Sequence, residues 1–402
     1  MIYGYIFHWG SAEIPNALKG TQVDPSTFMS DKQLVNSTQF SEIKNFLFFI
    51  STPLEWVVYF VIMAFGISKS LAAWSGGKRK GFQTFTYVLG LSFFTLLIFL
   101  PIKYLNYRIS VQYGISSQSA LSWMKDLAIS FGIDLIFMTA STIVLLWLTR
   151  RFGRNWWLYA WLITVPFTVF MMFIQPVLID PLYNDFYPLK DKILEHKILE
   201  IAHKANIPAS HVFEVNMSSK TSALNAYVTG IGSNSRIVLW DTTLEKLTDE
   251  EILFVMAHEM GHYVQKDIYQ SMGIYLAISF LGLWLTDYIL RGYVRRKNIL
   301  EIHSLGDIKI LPLMLVIISV LSFLFSPIDN TFSRMQESRA DRYALAMTED
   351  PSSGLTSFQK LSSFGLTQVN PPILVKVFRY THPTMLERLQ TMGKYKEGHS
   401  KK

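Results

Sequence analysis

His258, Glu259, Met260, Gly261 and His262 form a His-Glu-x-x-His run. Residues four apart on a helix stand one above the other on a single face. Two imidazoles held that way can share one tetrahedral Zn²⁺. Glu259 follows the first of them, placed to take a proton from the water that such a metal activates. The same five residues also arise by chance on a solvated or core helix, so the context decides. Here Thr248-Asp249-Glu250-Glu251 reads as a capping box, and Ile252, Leu253, Val255 and Met256 supply buried helix positions after it. Gly261 is a poor helix former that leaves room beside the ligands for a substrate or another backbone.

A catalytic zinc needs a third protein ligand and one open position. Glu337 is the candidate, in a helical-looking stretch that continues through Asp341, Tyr343, Ala344 and Leu345. Asp341 falls one turn later on the same face, where it suits a carboxylate accepting the free ring N–H of a ligand histidine. The alternative is a surface helix with an ordinary charge pattern. The chain has 402 residues and no cysteine. Disulfides and thiolate ligands are therefore excluded, and the one Zn²⁺ expected per chain must use imidazole and carboxylate.

The elements that position these residues are expected to be largely membrane-embedded. Half of the residues are hydrophobic and 17% are charged, against about 25% charged in an average soluble domain. Mean hydropathy is +0.25. Six apolar stretches, at roughly 46–67, 82–104, 127–149, 156–179, 271–290 and 309–327, reach the ~20 residues that a bilayer crossing takes. The stretch 156–179 holds no charged residue, nor does 310–327. No cleavable signal peptide is visible, and residues 1–9 read either as the tail of a further spanning helix or as an apolar segment lying at the interface.

Net charge is +7. The basic residues cluster beside spans, at Lys78-Arg79-Lys80, Arg150-Arg151-Arg154 and Arg291-Arg295-Arg296-Lys297. That pattern points to membrane orientation, not to nucleic acid. All three clusters fall on the side opposite the catalytic segments, so the charge rule puts the metal outside the cytoplasm. Glu55, Asp134 and Asp287 lie inside spans, where an ionised group facing lipid costs roughly 2.5–3.5 kcal/mol. They are expected to face the bundle interior, a water-filled cavity or an interface, and a proton or ion path is the competing reading.

Residues 1–180 read as an N-terminal membrane module of four spans, with Asp180-Pro181-Leu182-Tyr183-Asn184 breaking the fourth. Residues 181–402 read as a zinc peptidase domain interrupted by a two-span hairpin at about 271–327. Within it, 191–205 reads as an amphipathic helix, and 212–215, 226–229 and 236–240 as short strands. Asn225, Ala226 and Tyr227 open the second strand, whose edge could bind an extended peptide by main-chain hydrogen bonds. His382 or Arg388 near the metal could stabilise an oxyanion, although a histidine before proline is more often a turn residue. The end, 394–402, is polar and basic and is expected to be disordered.

Together these residues resemble the integral-membrane CAAX prenyl protease 1 family of zinc metallopeptidases. The resemblance spans about 46–390. It rests on Asp180-Pro181-Leu182-Tyr183, Ser222 to Tyr227, Arg236 to Leu244, His258 to His262, Glu337 to Asp341, and His382-Pro383 with Arg388. It implies zinc on His258, His262 and Glu337, with Glu259 as general base. It also implies substrate along Asn225 and the strand after it, and His382 and Arg388 at the site. It implies a water-filled chamber among seven spanning helices, of which six are clear here, and it puts the metal on the cytosolic side, against the charge rule. The expected fold is a mainly α, polytopic membrane protein with a zincin-like α+β catalytic portion carrying a small β-sheet. The expected substrate is a peptide or protein, with lipidated or membrane-associated chains among the options. An intramembrane-cleaving protease is the weaker enzyme reading, because Glu250, Glu251, Lys266 and Asp267 flank the motif. The rival of another class is a transporter or channel with a vestigial metal site, using Glu55, Asp134 and Asp287.

Overall fold

The computed structural model describes residues 13–77, 79–229, 236–296 and 300–399. The candidate spanning tail at 1–9, Lys78 and Lys297 lie outside them. The first long helix, α1 (Asp31–Ala64), starts at a capping box in which Ser30 and Gln33 satisfy each other's backbone N–H groups. A short helix, α2 (Ile67–Ser75), leads into α3 (Lys80–Gln112) and α4 (Ala120–Phe152). The chain reverses at Gly153, whose φ of 53° lies in the region open chiefly to glycine. It then enters α5 (Trp156–Ile174).

Five helical runs are long and apolar enough to cross a membrane. One of them, Ala120–Tyr183, contains two of the expected passes joined at Gly153, so the six expected stretches all fall on such helices. No residue in that run's most apolar window is buried within the protein. Its Leu121, Ile136 and Trp147 are exposed, as lipid-facing side chains must be.

The fourth pass ends within the expected break at 180–184, but at Asn184 and not at Pro181. A π turn at Gln175–Ile179 widens the helix, and the Asp180 N–H donates to the Gln175 carbonyl five residues back. The widened turn lets Pro181 sit in the first turn of α6 (Asp180–Tyr183), where its missing N–H costs nothing. The helix ends at Asn184, which is extended.

A four-stranded sheet follows, in the order β1-β2-β4-β3. Strands β2 (Val212–Val215), β3 (Ala226–Thr229) and β4 (Arg236–Trp240) lie where the sequence reading placed them. The sequence did not reveal β1 (Phe186–Pro188), which is three residues long, ends in proline and pairs antiparallel at the edge. Strand β2 runs parallel to β4, and β3 antiparallel to it. The amphipathic helix α7 (Lys192–Lys204) starts at Asp191, whose carboxylate accepts from two backbone N–H groups. Its Leu194 and Ile198 pack with Ile237 and Leu239 of the sheet.

After α8 (Asp241–Lys246) come α9 (Asp249–Val264), the span α10 (Asp267–Val294) and the long helix α11 (Leu311–Thr348). Helices α12 (Pro351–Phe364), α13 (Ile373–Arg379) and α14 (Met385–His399) close the domain. The expected disorder from 394 is overturned up to 399. Leu389, Met392 and Tyr395 recur at helical spacing and pack on the core that holds Phe254 and Phe358, which keeps α14 helical. Val23 enters the same core, with Ile14, Leu18 and Phe28 against it. By packing, the segment before α1 thus joins the core formed by α9, α12 and α14.

The basic segments meet at one end of the bundle. Lys80, Arg150 and Gly306 line one cleft, and Arg291 donates to the Gly153 carbonyl. At the other end, Lys220 of the peptidase domain pairs with Asp126.

Candidate metal centre

Helix α9 carries the two histidines, and its start is fixed by the expected capping box between Thr248 and Glu251. Between the two histidines and next to His262, Gly261 lets α11 come close. A Cβ there would lie 3.2 Å from the Ala340 Cα and from Tyr343. The spare room at Gly261 is therefore used by another backbone. That approach brings Glu337 of α11 over α9. His258 Nε2 lies 3.2 Å from Glu337 Oε2, and His262 Nε2 lies 3.4 Å from Glu337 Oε1. One donor atom from each of the three residues falls within 4.8 Å of the others.

Both imidazoles are oriented by carboxylates on their other nitrogen. His258 Nδ1 is 2.9 Å from Asp341 Oδ1, and His262 Nδ1 is 2.9 Å from Asp267 Oδ2. An Nδ1–H donated in each case leaves both Nε2 lone pairs facing Glu337. Glu337 Oε2 is itself buried and accepts no hydrogen bond. Three acceptors converging without a proton between them call for a cation. Two imidazoles and a carboxylate are a donor set that suits zinc, so the residues present fit the metal.

The charge balance agrees. Burial opposes an imidazolium at His258, yet the negative charges of Asp341 and Glu337 beside it push its pKa up to about 10. His262 is also raised, with burial opposed by Glu337. The field that favours a proton at these nitrogens favours a metal cation equally. Glu259 is raised chiefly by desolvation, against the pull of the two histidines. Its carboxylate accepts no hydrogen bond from the described residues.

Asp267 was not singled out from the sequence. It opens α10 just after Lys266, a non-glycine residue at φ 57°. This left-handed residue turns the chain so that the carboxylate folds back onto His262. Arg339 donates to its other oxygen at 2.7 Å, and the Gln336 side chain donates to its backbone carbonyl. The available signal was an aspartate five residues past the second histidine.

The structure separates the two candidate oxyanion groups. His382 lies at the mouth, its Nε2 3.2 Å from Glu337 Oε1. Its pKa is lowered, first by desolvation among the cleft walls. Arg388 is 7% exposed and makes a two-pronged contact with Asp341, at 2.6 and 3.0 Å. Its guanidinium also stacks on Phe358 at 3.9 Å. Arg388 Nη2 also comes within 3.4 Å of His258 Nδ1, on the side of the ring that Asp341 contacts. Arg334, also not singled out, donates to the Lys376 and Tyr380 carbonyls and holds the turn that leads into His382.

Strand β3 lies along α9, with Ala226 in the same core as Met256 and Met260. Thr243 anchors the Asn225 backbone from both sides, accepting its N–H and donating to its carbonyl. The Asn225 side chain is exposed. Among the described residues, β3 pairs only with β4, so its outer edge carries no strand. Tyr227, on the other face, lines a cavity of about 500 Å³ with Met172, Phe186, Trp240 and Ile268. Burial pushes the Tyr227 hydroxyl up to about 12.

The intramembrane acids do not share one path. Glu55 and Asp134 line one cavity of about 660 Å³. Asp287 is buried elsewhere, bonded to Trp156 and to Arg291.

Residues 188–396 match the family model described as Peptidase family M48. Residues 9–185 match the one described as CAAX prenyl protease N-terminal, five membrane helices. The uncharacterized metalloprotease YhfN of Bacillus subtilis (strain 168) is 50% identical over 398 residues, covering 97% of this chain and 93% of its own. The CAAX prenyl protease 1 homolog of Arabidopsis thaliana is 26% identical over 383 residues, covering 90% and 88%. The crystal structure of S. mikatae Ste24p superposes with a TM-score of 0.83 at 22% identity, over 97% of this chain and 94% of that one.

Proposed function

This chain belongs to peptidase family M48 as a multi-pass membrane metallopeptidase, and we propose that it is a zinc metalloendopeptidase of CAAX prenyl protease type. His258, His262 and Glu337 would hold the zinc. The observation that carries this reading is the convergence of their three donor atoms within 4.8 Å, each imidazole braced by its own carboxylate. The metal, when bound, supplies Lewis-acid polarisation of the scissile carbonyl and activation of a water.

The chain's own residues do the rest. Glu259, with no competing protein donor, takes the proton from the attacking water and passes it to the leaving amine. His382, largely neutral and at the mouth, donates to the developing oxyanion. Arg388 acts through Asp341 on His258 and is a positioning residue. The peptide adds to the free edge of β3, with Asn225 marking where the strand begins and Ala226 and Tyr227 continuing the edge. The apolar cavity beside Tyr227 would take a bulky apolar group of the substrate, a lipidated side chain among them. The split of Asp287 from Glu55 and Asp134 disfavours the transporter alternative.

The charge rule places the catalytic end on the extracytoplasmic side. A reporter fused near Lys402 should be active only outside the cytoplasm, and activity confined to the cytoplasm would reject that orientation. For the chemistry, purified protein should contain one zinc per chain and cleave a fluorogenic peptide in a chelator-sensitive way. Ion flux in liposomes without cleavage would reject the peptidase.

A further inference from the structure

At the bundle end opposite the metal centre, a cleft of about 930 Å³ opens between the Gly153 turn and the last turns of α10. Asp267, beside the metal centre, and Arg291, in this cleft, sit on the same helix. Their separation along it is about 36 Å, enough to cross the ~30 Å hydrocarbon layer. The cleft therefore lies at the far membrane surface.

Its walls are strongly basic. Arg154, Arg291, Arg295 and Arg296 line it against one acid, Asp287. That acid is already matched by Arg291 and by the Trp156 N–H. Arg154 and Arg295 are exposed and make no ion pair among the described residues. Exposed Trp284 and Tyr288 stack on each other at the same wall, with ring centroids 6.4 Å apart. Such rings mark the headgroup level of a bilayer.

We propose that this cleft binds the headgroup of an anionic phospholipid. Arg154 and Arg295 grip the phosphate, while Trp284 and Tyr288 flank the glycerol region and the upper acyl chain. The surplus positive charge selects a headgroup with net negative charge over a zwitterionic one. An occupant here bridges the turn between α4 and α5 to the end of α10, and so braces the hairpin that follows the metal helix.

The test uses the full chain in detergent, titrated with phosphatidylglycerol, phosphatidylcholine or inorganic phosphate, with thermal midpoint and native mass spectrometry as readouts. Phosphatidylglycerol should raise the midpoint and appear as a bound adduct, and the other two should not. The R154Q/R295Q variant removes two charges worth about fivefold in affinity each. It should weaken phosphatidylglycerol binding about 25-fold and leave the lipid-free midpoint unchanged, because neither side chain has an ion-pair partner to lose. Lys204→Gln, a charge removal in the peptidase domain, should leave binding intact. Equal response to phosphatidylcholine, equal protection by inorganic phosphate, or full binding by the double variant would each overturn the proposal.

Discussion

His258 and His262 stand one turn apart, yet they are braced by different parts of the molecule. The His258 brace lies wholly within the peptidase domain. Asp341 is almost fully buried and held by Arg388, which is itself sandwiched against Phe358. The His262 brace is the first residue of a membrane span, Asp267, held by Arg339, whose side chain is 39% exposed. One ligand is thus fixed by a dry core and the other by the junction with the bilayer. A metal held by the two imidazoles would report on both, and the membrane helices would act as structural members of the proposed site.

Variants of increasing subtlety can break or sharpen this contrast. Glu259→Gln tests what both braces serve. It should keep zinc and lower turnover by about 10³-fold, within the range for a general base. Retained hydrolysis would reject the role of Glu259. Asp341→Asn should then separate the two braces. It leaves Arg388 buried without its counter-ion, which costs about 3–5 kcal/mol of stability, besides weakening zinc about 10–100-fold. Asp267→Asn should weaken zinc by a similar factor while costing about 1 kcal/mol or less, because Arg339 can turn to water. Equal melting losses in the two variants would erase the distinction. Gly261→Ala presses α9 and α11 apart at a 3.2 Å contact. It should cost about 1 kcal/mol with a measurable drop in zinc affinity, and an unchanged midpoint would mean that Ala340 and Tyr343 give way freely. Stripping the metal with a chelator should lower the wild-type midpoint, and the shift should be smaller in both brace variants, since they bind the metal less tightly.

The sequence was most legible where the signal is local. The capping box at Thr248 and Glu251, the short strands at 212–215 and 236–240, and the amphipathic helix at 191–205 each depend on a few neighbouring residues, and each appears in place. Glu337 lies 75 residues beyond His262. It could be nominated because few other carboxylates stood in a suitable helical setting. Asp267 escaped notice because its role depends on a left-handed turn at Lys266, a conformation that lysine does not advertise. The helix stops at Asn184, the far end of the expected break, because a π turn, invisible to periodicity, carries the chain through two prolines. The docking of Val23 and Leu18 on the peptidase core is a long-range event with no local pattern at all.

Helix α11 is unbroken from Leu311 to Thr348, so the carboxylate at Glu337 rides on the same rod that crosses the lipid. From Leu311 to Glu337 that rod measures about 39 Å, and one degree of tilt swings the carboxylate by roughly 0.7 Å. Bond lengths to a metal tolerate about 0.2 Å. Bilayer thickness, which biases helix tilt modestly through hydrophobic mismatch, thereby becomes a mechanical adjustment on the chemistry, and cleavage rates should shift with acyl-chain length even for a substrate that never enters the membrane.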